Sequence, residues 1–230
     1  MPLCGDITTD LLGMESGAYK LWSASSVCII HCAASINLSS NSNSRKVNTD
    51  SIYHVIDFAS KGKLKGIIFI SSIASCLLHR GPSVPESLQI EHTAATLGYG
   101  ESKYDTERIL AQYAVERNIP IFIVRTPQII GSKSCQRSAL PEYFIQASLL
   151  TGMIPDFAAY FPLCPVEVIS AVLVVCFLVA LPAKISILSK EVTLLHVADR
   201  KKRKWMDQLT GFIDAGLSVK PSSLNEFLLK

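Results

Sequence analysis

Short apolar runs rich in β-branched residues alternate with longer stretches of helical period in the first half of this chain. Such alternation is typical of βαβ units and favours an α/β fold built on a mostly parallel sheet. Strands are predicted at residues 27–31, 66–72 and 119–125, and helices at residues 47–60 and 100–117. Each crossover between neighbouring parallel strands is expected to be right-handed.

The pattern becomes looser beyond residue 131. Helices are predicted at residues 141–151, 165–181 and 203–216, and a strand at 192–198 that returns to the sheet. Residues 78–98 and the Ser/Asn-rich residues 39–44 are predicted to be loops. We therefore expect a sheet domain over residues 1–131 and a smaller C-terminal lobe over residues 132–230, which faces the substrate.

The composition indicates a folded protein with an ordinary core. The chain has 230 residues, of which 49% are hydrophobic and 18% charged, and its net charge is +3. Lysine and arginine are spread along the sequence except at residues 201–204, so nucleic acid is not an expected partner. That basic run is most simply a solvated helix start, and a contact with an acidic carrier protein is the alternative.

The first residues have neither a basic region nor a long apolar stretch, so no secretory signal is recognised and the cytoplasm is the expected compartment. The apolar run at residues 168–181 is shorter than the roughly twenty residues of a membrane span, so a buried core helix is expected and no membrane contact, with a membrane anchor as the alternative. No CxxC pair or zinc-finger spacing occurs, so no metal is predicted. The seven cysteines are expected to be buried thiols: Cys4, Cys28, Cys32, Cys76, Cys135, Cys164 and Cys176.

The spacing with the clearest chemical meaning is Tyr99 followed by Lys103 at the start of a predicted helix. Residues at i and i+4 share one helical face, so the ammonium is expected to lower the phenol pKa and to make Tyr99 a proton donor to a substrate oxygen. Ser71 and Ser72 end the preceding strand, at the edge where open α/β sheets bind ligands. Asn48 is one more polar group, and its simplest interpretation is a helix N-cap.

These residues belong to a longer set of short motifs that resembles the extended short-chain dehydrogenases. Among these the chain is most similar to the thioester reductase domains of nonribosomal peptide synthetases, carboxylic acid reductases and α-aminoadipate reductase, whose NAD-binding part is of the male-sterility type. The segments that carry the resemblance are residues 30–37, 47–48, 69–72, 98–103, 124–127 with Gly131, 165–170, and Trp205.

The resemblance implies a Rossmann-like sheet, NADPH as the cofactor and a carrier-bound acyl thioester as the substrate, reduced to an aldehyde or an alcohol. It implies that Ser72 binds the substrate oxygen, that Tyr99 is the general acid and that Lys103 holds the ribose. Further residues are implied in cofactor binding: Asp6, Ile7, Ala33, Ala34, Ser35, Asn48 and Pro127. Thr126 stands where the family usually has proline, so Pro127 is left to shape the turn and Arg125 is expected to be only a structural neighbour.

The same resemblance implies a first βαβ unit, with a G-x-x-G-x-x-G turn that binds the pyrophosphate, and no segment of this chain matches it. The sheet is therefore expected to be incomplete, with the strand at residues 27–31 left unpaired on one side. Because the basic residue that pairs with a 2′-phosphate is also unmatched, NADPH rather than NADH is inferred from the family alone. A fragment of a larger synthetase, a split protein completed by a partner chain, and an inactive remnant all remain open.

Two other functions remain as alternatives. One is an inactive binding or scaffold protein with the same fold. The other is a sugar-nucleotide epimerase or dehydratase, which shares the Ser72, Tyr99 and Lys103 pattern but fits residues 165–170 and Trp205 less well. His31 and Cys32 end a strand and are expected to lie at the edge of the core, without a ligand role.

Overall fold

A computed structural model of the chain describes residues 3–36, 42–89, 91–94, 98–131, 140–156, 160, 162–186, 191–198 and 204–229. The helices are α1 (Ser16–Ser25), α2 (Ser42–Ser60), α3 (Gly98–Arg117), α4 (Leu140–Thr151), α5 (Val166–Val175), α6 (Leu181–Ser186), α7 (Trp205–Asp214) and α8 (Leu224–Leu228). The strands are β1 (Cys28–His31), β2 (Gly66–Ser72), β3 (Ile121–Thr126), β4 (Gln128–Ile130), β5 (Met153–Pro155), β6 (Leu163–Pro165), β7 (Thr193–His196) and β8 (Lys220–Ser222).

The main sheet has four parallel strands in the order β1-β2-β3-β7. The α/β fold and the parallel pairing are thus confirmed. The third strand begins at Ile121, after Pro120, and ends at Thr126, before Pro127. Both limits follow from the absence of an N–H group in proline. Among the described residues, no strand pairs with the outer side of β1.

Alternate residues of β2 and β3 place the core on both faces of the sheet. The face that carries Ile67 and Phe69 packs against α2 and α3. The predicted apolar stripe of α3 is confirmed, since Leu110 and Ala114 are fully buried there, with Ile109 and Tyr113 packed against the cluster. On the opposite face, Leu181 approaches Gly66 so closely that a Cβ on Gly66 would lie 2.3 Å from its Cδ1. Glycine is therefore required for this contact.

The long apolar helix at the middle of the chain differs from the expectation of a buried core helix. It runs through α5, a π-helical turn at Cys176–Ala180, and α6, so it continues past Pro182. The wide π turn just before Pro182 accommodates a residue that lacks an N–H and would clash with a regular turn. Ile169, Cys176 and Leu181 are buried, but Val168, Val174, Val175, Leu178 and Val179 are exposed.

The expectation of a buried core helix is therefore wrong for most of the helix surface. Only one stripe of its side chains is buried among the described residues. In the described part of the chain, Val166–Lys184 is the one helix long and apolar enough to cross a membrane, with a mean hydropathy of 2.5 and 17% of its apolar window buried. This test uses only the length and the apolar composition of a helix, and core helices of soluble proteins also pass it.

A buried lysine closes the C-terminal end of α2. Lys65 has no exposed surface, and its three N–H donors bind the carbonyl oxygens of Phe58 at 2.9 Å, Lys61 at 2.7 Å and Lys63 at 2.7 Å. The Phe58 oxygen belongs to the last turn of α2, where carbonyl groups lack partners in a next turn and the helix dipole favours a cation, and the Lys61 and Lys63 oxygens belong to the segment just after it. All three donors of this ammonium are thus satisfied.

The chain divides into two compact units, one of residues 1–126 with 172–196, and the other of residues 127–171 with 197–230. The second unit contains two short parallel pairs, β4 with β6 and β5 with β8, which the sequence did not predict. Its small core forms around Trp205, which has no exposed surface and donates from Nε1 to the Pro155 carbonyl at 2.6 Å. The strand expected at residues 192–198 is β7, which pairs with β3 in the first unit.

The cysteines are less uniformly buried than expected. Cys76, Cys164 and Cys176 are buried and Cys28 is half-buried, but Cys4 and Cys32 are exposed. The expectation was wrong for these two because each lies in an open loop, one near the start of the chain and one just after β1. Cys135 and residues 201–203 of the basic run lie outside the described residues.

Candidate active site

Three side chains singled out in the sequence come together at the carboxyl edge of the main sheet. Ser72 ends β2, while Tyr99 and Lys103 lie in the first two turns of α3. The Ser72 side chain lies close enough to the Tyr99 phenol to favour its ionised form and lower its pKa. The Lys103 ammonium lies 5.6 Å from the centre of the Tyr99 ring. A hydroxyl, a phenol and a cation therefore share one site, where a substrate oxygen can be bound and protonated.

The Lys103 side chain is held in place by the strand below it. Lys103 is only 4% exposed. Its Nζ donates to the Ile70 carbonyl at 2.7 Å and lies 4.6 Å from the centre of the Phe69 ring. Burial lowers the pKa of this ammonium to about 8, while the nearby Cys32 and Glu107 oppose the shift. Lys103 is thus still mainly protonated near neutral pH.

The Tyr99 phenol differs from the sequence prediction in its acidity. Burial raises its pKa, and the neighbouring Ser72 side chain offsets part of this effect by favouring the phenolate. The expected lowering of the phenol pKa by Lys103 is absent from this structure. Because desolvation disfavours the phenolate, Tyr99 is a neutral proton donor at ordinary pH.

The loop after β1 is tied to α2 and α3 by one amide side chain. Asn48 accepts the backbone N–H of Ser35 at 2.7 Å, donates to the Ser35 carbonyl at 3.0 Å, and donates to the Ser102 hydroxyl at 3.0 Å. The N-cap interpretation of Asn48 is wrong, because α2 begins at Ser42 and Asn48 lies within its second turn. Ala33, next to Ala34 in the same loop, is exposed, so small residues stand where a ligand can approach the backbone.

The remaining predicted cofactor residues lie on other segments. Asp6 is exposed and accepts two hydrogen bonds from Thr8, at 2.9 Å from its N–H and at 2.7 Å from its hydroxyl, which lower the pKa of the Asp6 carboxyl. Ile7 follows it in the same exposed turn, and Pro127 follows the last residue of β3. Within the described residues, no hydrogen bond joins these three to the Ser72, Tyr99 and Lys103 group.

A buried ion pair beneath the site was missed by sequence reasoning. Glu107, one turn beyond Lys103 in α3, is 1% exposed and binds Arg125 of β3, with Nη2 at 2.6 Å from Oε2. Arg125 also lies 3.2 Å from Nε2 of His196 in β7. A glutamate among the inward-facing positions of α3 was the available signal, since an unpaired carboxylate is rarely buried.

His31 at the end of β1 is buried against the Phe69 ring, at 5.7 Å between ring centres. Burial lowers the pKa of this imidazole to about 4, and Lys103 adds to the shift, so His31 is neutral. The prediction of a core-edge histidine is confirmed. In the described part of the chain, no group of three or more His, Cys, Asp or Glu side chains could hold a metal ion.

The residues present fit one part of a nicotinamide dinucleotide. Lys103 has three N–H donors, and among the described residues only the Ile70 carbonyl accepts from them, so two remain for ribose oxygens. The small side chains of Ala33 and Ala34 in the loop after β1 would leave room for part of such a cofactor close to the backbone. A glycine-rich turn that opens a helix, which binds pyrophosphate in such folds, is not present in the described ranges.

Comparisons with known proteins identify relatives of this chain among multidomain synthases and reductases. The chain is 33% identical over 139 residues to "Probable polyketide synthase 30" of Dictyostelium discoideum. The aligned region covers 57% of this chain and 4% of that protein. It is 28% identical over 176 residues to "Adenylate-forming reductase Nps9" of Serpula lacrymans, covering 72% of this chain and 16% of that protein. The chain thus spans a small share of these curated relatives.

Among solved structures, the terminal R domain of the myxalamid PKS-NRPS pathway superposes with a TM-score of 0.83 at 19% identity, over 99% of this chain and 57% of that one. At this identity the similarity shows the fold. The family model described as "Male sterility protein", an NAD-binding domain, matches residues 1–173. The chain therefore belongs to the male sterility protein family of NAD-binding reductase domains.

Proposed function

We propose that this chain carries the active site of an NADPH-dependent reductase that converts a carrier-bound acyl thioester to an aldehyde or an alcohol. The observation that supports it is the grouping of Ser72, Tyr99 and Lys103 at the carboxyl edge of the sheet. The choice of a thioester rests on the relatives, which are named as a polyketide synthase and an adenylate-forming reductase. Such assemblies carry acyl groups on carrier domains.

In this proposal each side chain has a separate role. Ser72 donates a hydrogen bond to the substrate carbonyl oxygen and orients it. Tyr99, whose phenol is kept neutral by burial, donates its proton to that oxygen as negative charge develops there. Lys103 holds the ribose. When bound, the nicotinamide would supply the hydride to the carbonyl carbon, and the protein supplies orientation and polarisation. The carbon–sulfur bond then breaks, which releases the aldehyde and returns the carrier as its free thiol.

The test uses the purified full-length protein with decanoyl-coenzyme A, a soluble thioester, and follows the loss of NADPH absorbance. Tyr99→Phe should lower kcat by about 100-fold or more, because general acid catalysis contributes that much. Fluorescence titration should show that this variant still binds NADPH. The matched control is Tyr53→Phe, which removes the hydroxyl of an exposed tyrosine on α2 and should leave turnover unchanged.

Tyr99→Phe turnover equal to that of the wild type would contradict the assigned role of the phenol. A folded wild-type protein that neither binds NADPH nor consumes it with the thioester would contradict the proposed function. That second result would favour a binding or scaffold role for the same fold.

A further inference from the structure

Two serines on either side of Ser72 are tied to one carboxylate oxygen. Ser71 donates from Oγ to Oε1 of Glu107 at 2.5 Å, and Ser75 donates to the same atom at 2.9 Å. Both serines are at most 1% exposed. We call Ser71, Ser75 and Glu107 the serine clamp. It links the end of β2 and the short turn after it to the middle of α3.

The backbone of Ser72 is held inside this clamp. The Ser75 hydroxyl lies 2.8 Å from the Ser72 carbonyl oxygen as well as near the carboxylate, and the Ser72 hydroxyl accepts the Ala74 N–H at 3.2 Å. The turn that follows Ser72, Ile73–Ser75, has only three residues. A 3₁₀ turn of this length has little stability of its own. Its position is therefore decided by side-chain contacts.

The carboxylate itself has a fixed place. Arg125 binds both oxygens of Glu107, with Nε at 3.0 Å from Oε1 and Nη2 at 2.6 Å from Oε2, and both residues are buried. A two-point contact between a planar guanidinium and a carboxylate fixes orientation as well as distance. Glu107 therefore connects β3 rigidly to the residues that flank Ser72.

We propose that Glu107 is a positioning residue, which acts through Ser71 and Ser75 to hold the Ser72 hydroxyl where it meets the Tyr99 phenol. The inference rests on the proposed reductase function for its catalytic consequence, but the placement of Ser72 can be measured without turnover. Among the described residues, the carboxylate is hydrogen-bonded to Ser71, Ser75 and Arg125 and not to Tyr99. Its effect passes through the two serine hydroxyls, and for that reason those hydroxyls are the groups to remove.

The test compares Ser71→Ala/Ser75→Ala with the matched double variant Ser60→Ala/Ser148→Ala, which removes two other serine hydroxyls that bind helix carbonyls. The ion pair of Glu107 with Arg125 remains in both, so both are expected to fold, as urea denaturation will show. With decanoyl-coenzyme A and NADPH, the clamp variant should lose about tenfold or more in kcat, with a smaller change in KM, because a small misplacement of a catalytic group costs about that much.

A second readout needs no turnover. The ionisation of the Tyr99 phenol is followed as the difference in ultraviolet absorbance between each protein and its own Tyr99→Phe form. Since the neighbouring Ser72 side chain lowers the phenol pKa, loss of Ser72 placement should shift this titration to higher pH in the clamp variant and not in the control. The charged and titratable groups near Glu107 are common to both proteins: Lys103, Arg125, His196 and Cys76.

The outcomes separate the two proposals. A slower clamp variant that is still folded by urea denaturation and has a shifted Tyr99 titration supports the inference. Kinetics and titration equal to those of the Ser60→Ala/Ser148→Ala control overturn it. If the wild type fails to reduce the thioester, the proposed function fails, and the Tyr99 titration alone decides whether the clamp positions Ser72.

Discussion

Replacement of Lys103 by methionine should change how the free energy of unfolding depends on pH. Burial lowers the pKa of this ammonium from 10.5 to about 8, against the opposing influence of Cys32 and Glu107. In the unfolded chain the lysine recovers its ordinary pKa. Between these two values the unfolded chain holds the proton and the folded chain does not, so the wild-type free energy of unfolding rises with pH.

The magnitude follows from the two pKa values. A change from 10.5 to about 8 corresponds to roughly 3 kcal/mol, at about 1.4 kcal/mol per pKa unit. Because Lys103 is only 4% exposed, solvent screens little of this cost. Below the folded pKa the buried charge destabilises the protein by the full amount, and the cost disappears as the pH rises through both values. Methionine has nearly the same length and no charge, so its free energy of unfolding lacks this contribution.

The assay is urea denaturation at a series of pH values from about 7 to about 10.5, followed by tryptophan fluorescence. The difference in unfolding free energy between wild type and Lys103→Met should move by roughly 3 kcal/mol in favour of the wild type across this range. Lys20→Met is the control, since Lys20 is exposed and water solvates its ammonium in both states. Parallel wild-type and Lys103→Met curves would refute the reasoning.

Three further substitutions test the packing around the site by urea denaturation. Arg125→Leu leaves the Glu107 carboxylate buried without its cation and should lower the free energy of unfolding by about 3–5 kcal/mol; a loss below about 1 kcal/mol would contradict a buried ion pair. Asn48→Ala removes three hydrogen bonds and should cost about 1–3 kcal/mol, with faster hydrogen exchange in the loop after β1. Trp205→Phe leaves the Pro155 carbonyl unpaired and should destabilise the second unit by about 1–3 kcal/mol, against a smaller change for the exposed Trp22→Phe.

The strands of the main sheet and the helices that pack on it could be predicted from local sequence. The signals were β-branched runs bounded by proline for the strands and the spacing of side chains for the helices. The β-branched runs that became β2 and β3 are buried on both faces, as a parallel sheet requires, and Pro120 and Pro127 mark the limits of β3. The helical spacing of Tyr99 and Lys103 needs nothing beyond the period of α3. Fold and the central part of the candidate site therefore followed from short stretches of sequence.

Features that depend on distant contacts could not be predicted in the same way. The role of Glu107 becomes visible only when β3 brings Arg125 beside it, since the two are 18 residues apart. Asn48 was misread as a cap because its real partner, the Ser35 backbone, lies 13 residues earlier. The apolar composition of α5 predicted burial, whereas the described part of the structure covers only one stripe of that helix.

The contacts of Lys65 at the C-terminal end of α2 make this amine a natural reporter of local opening there. An amine attacks an acetylating or succinimidyl reagent through its free lone pair, and this nitrogen has no exposed surface while three carbonyl oxygens hold its protons. Reaction therefore requires that the end of the helix come apart. The rate at which Lys65 is acylated, read by mass spectrometry beside exposed lysines such as Lys20, measures how often the folded protein opens there.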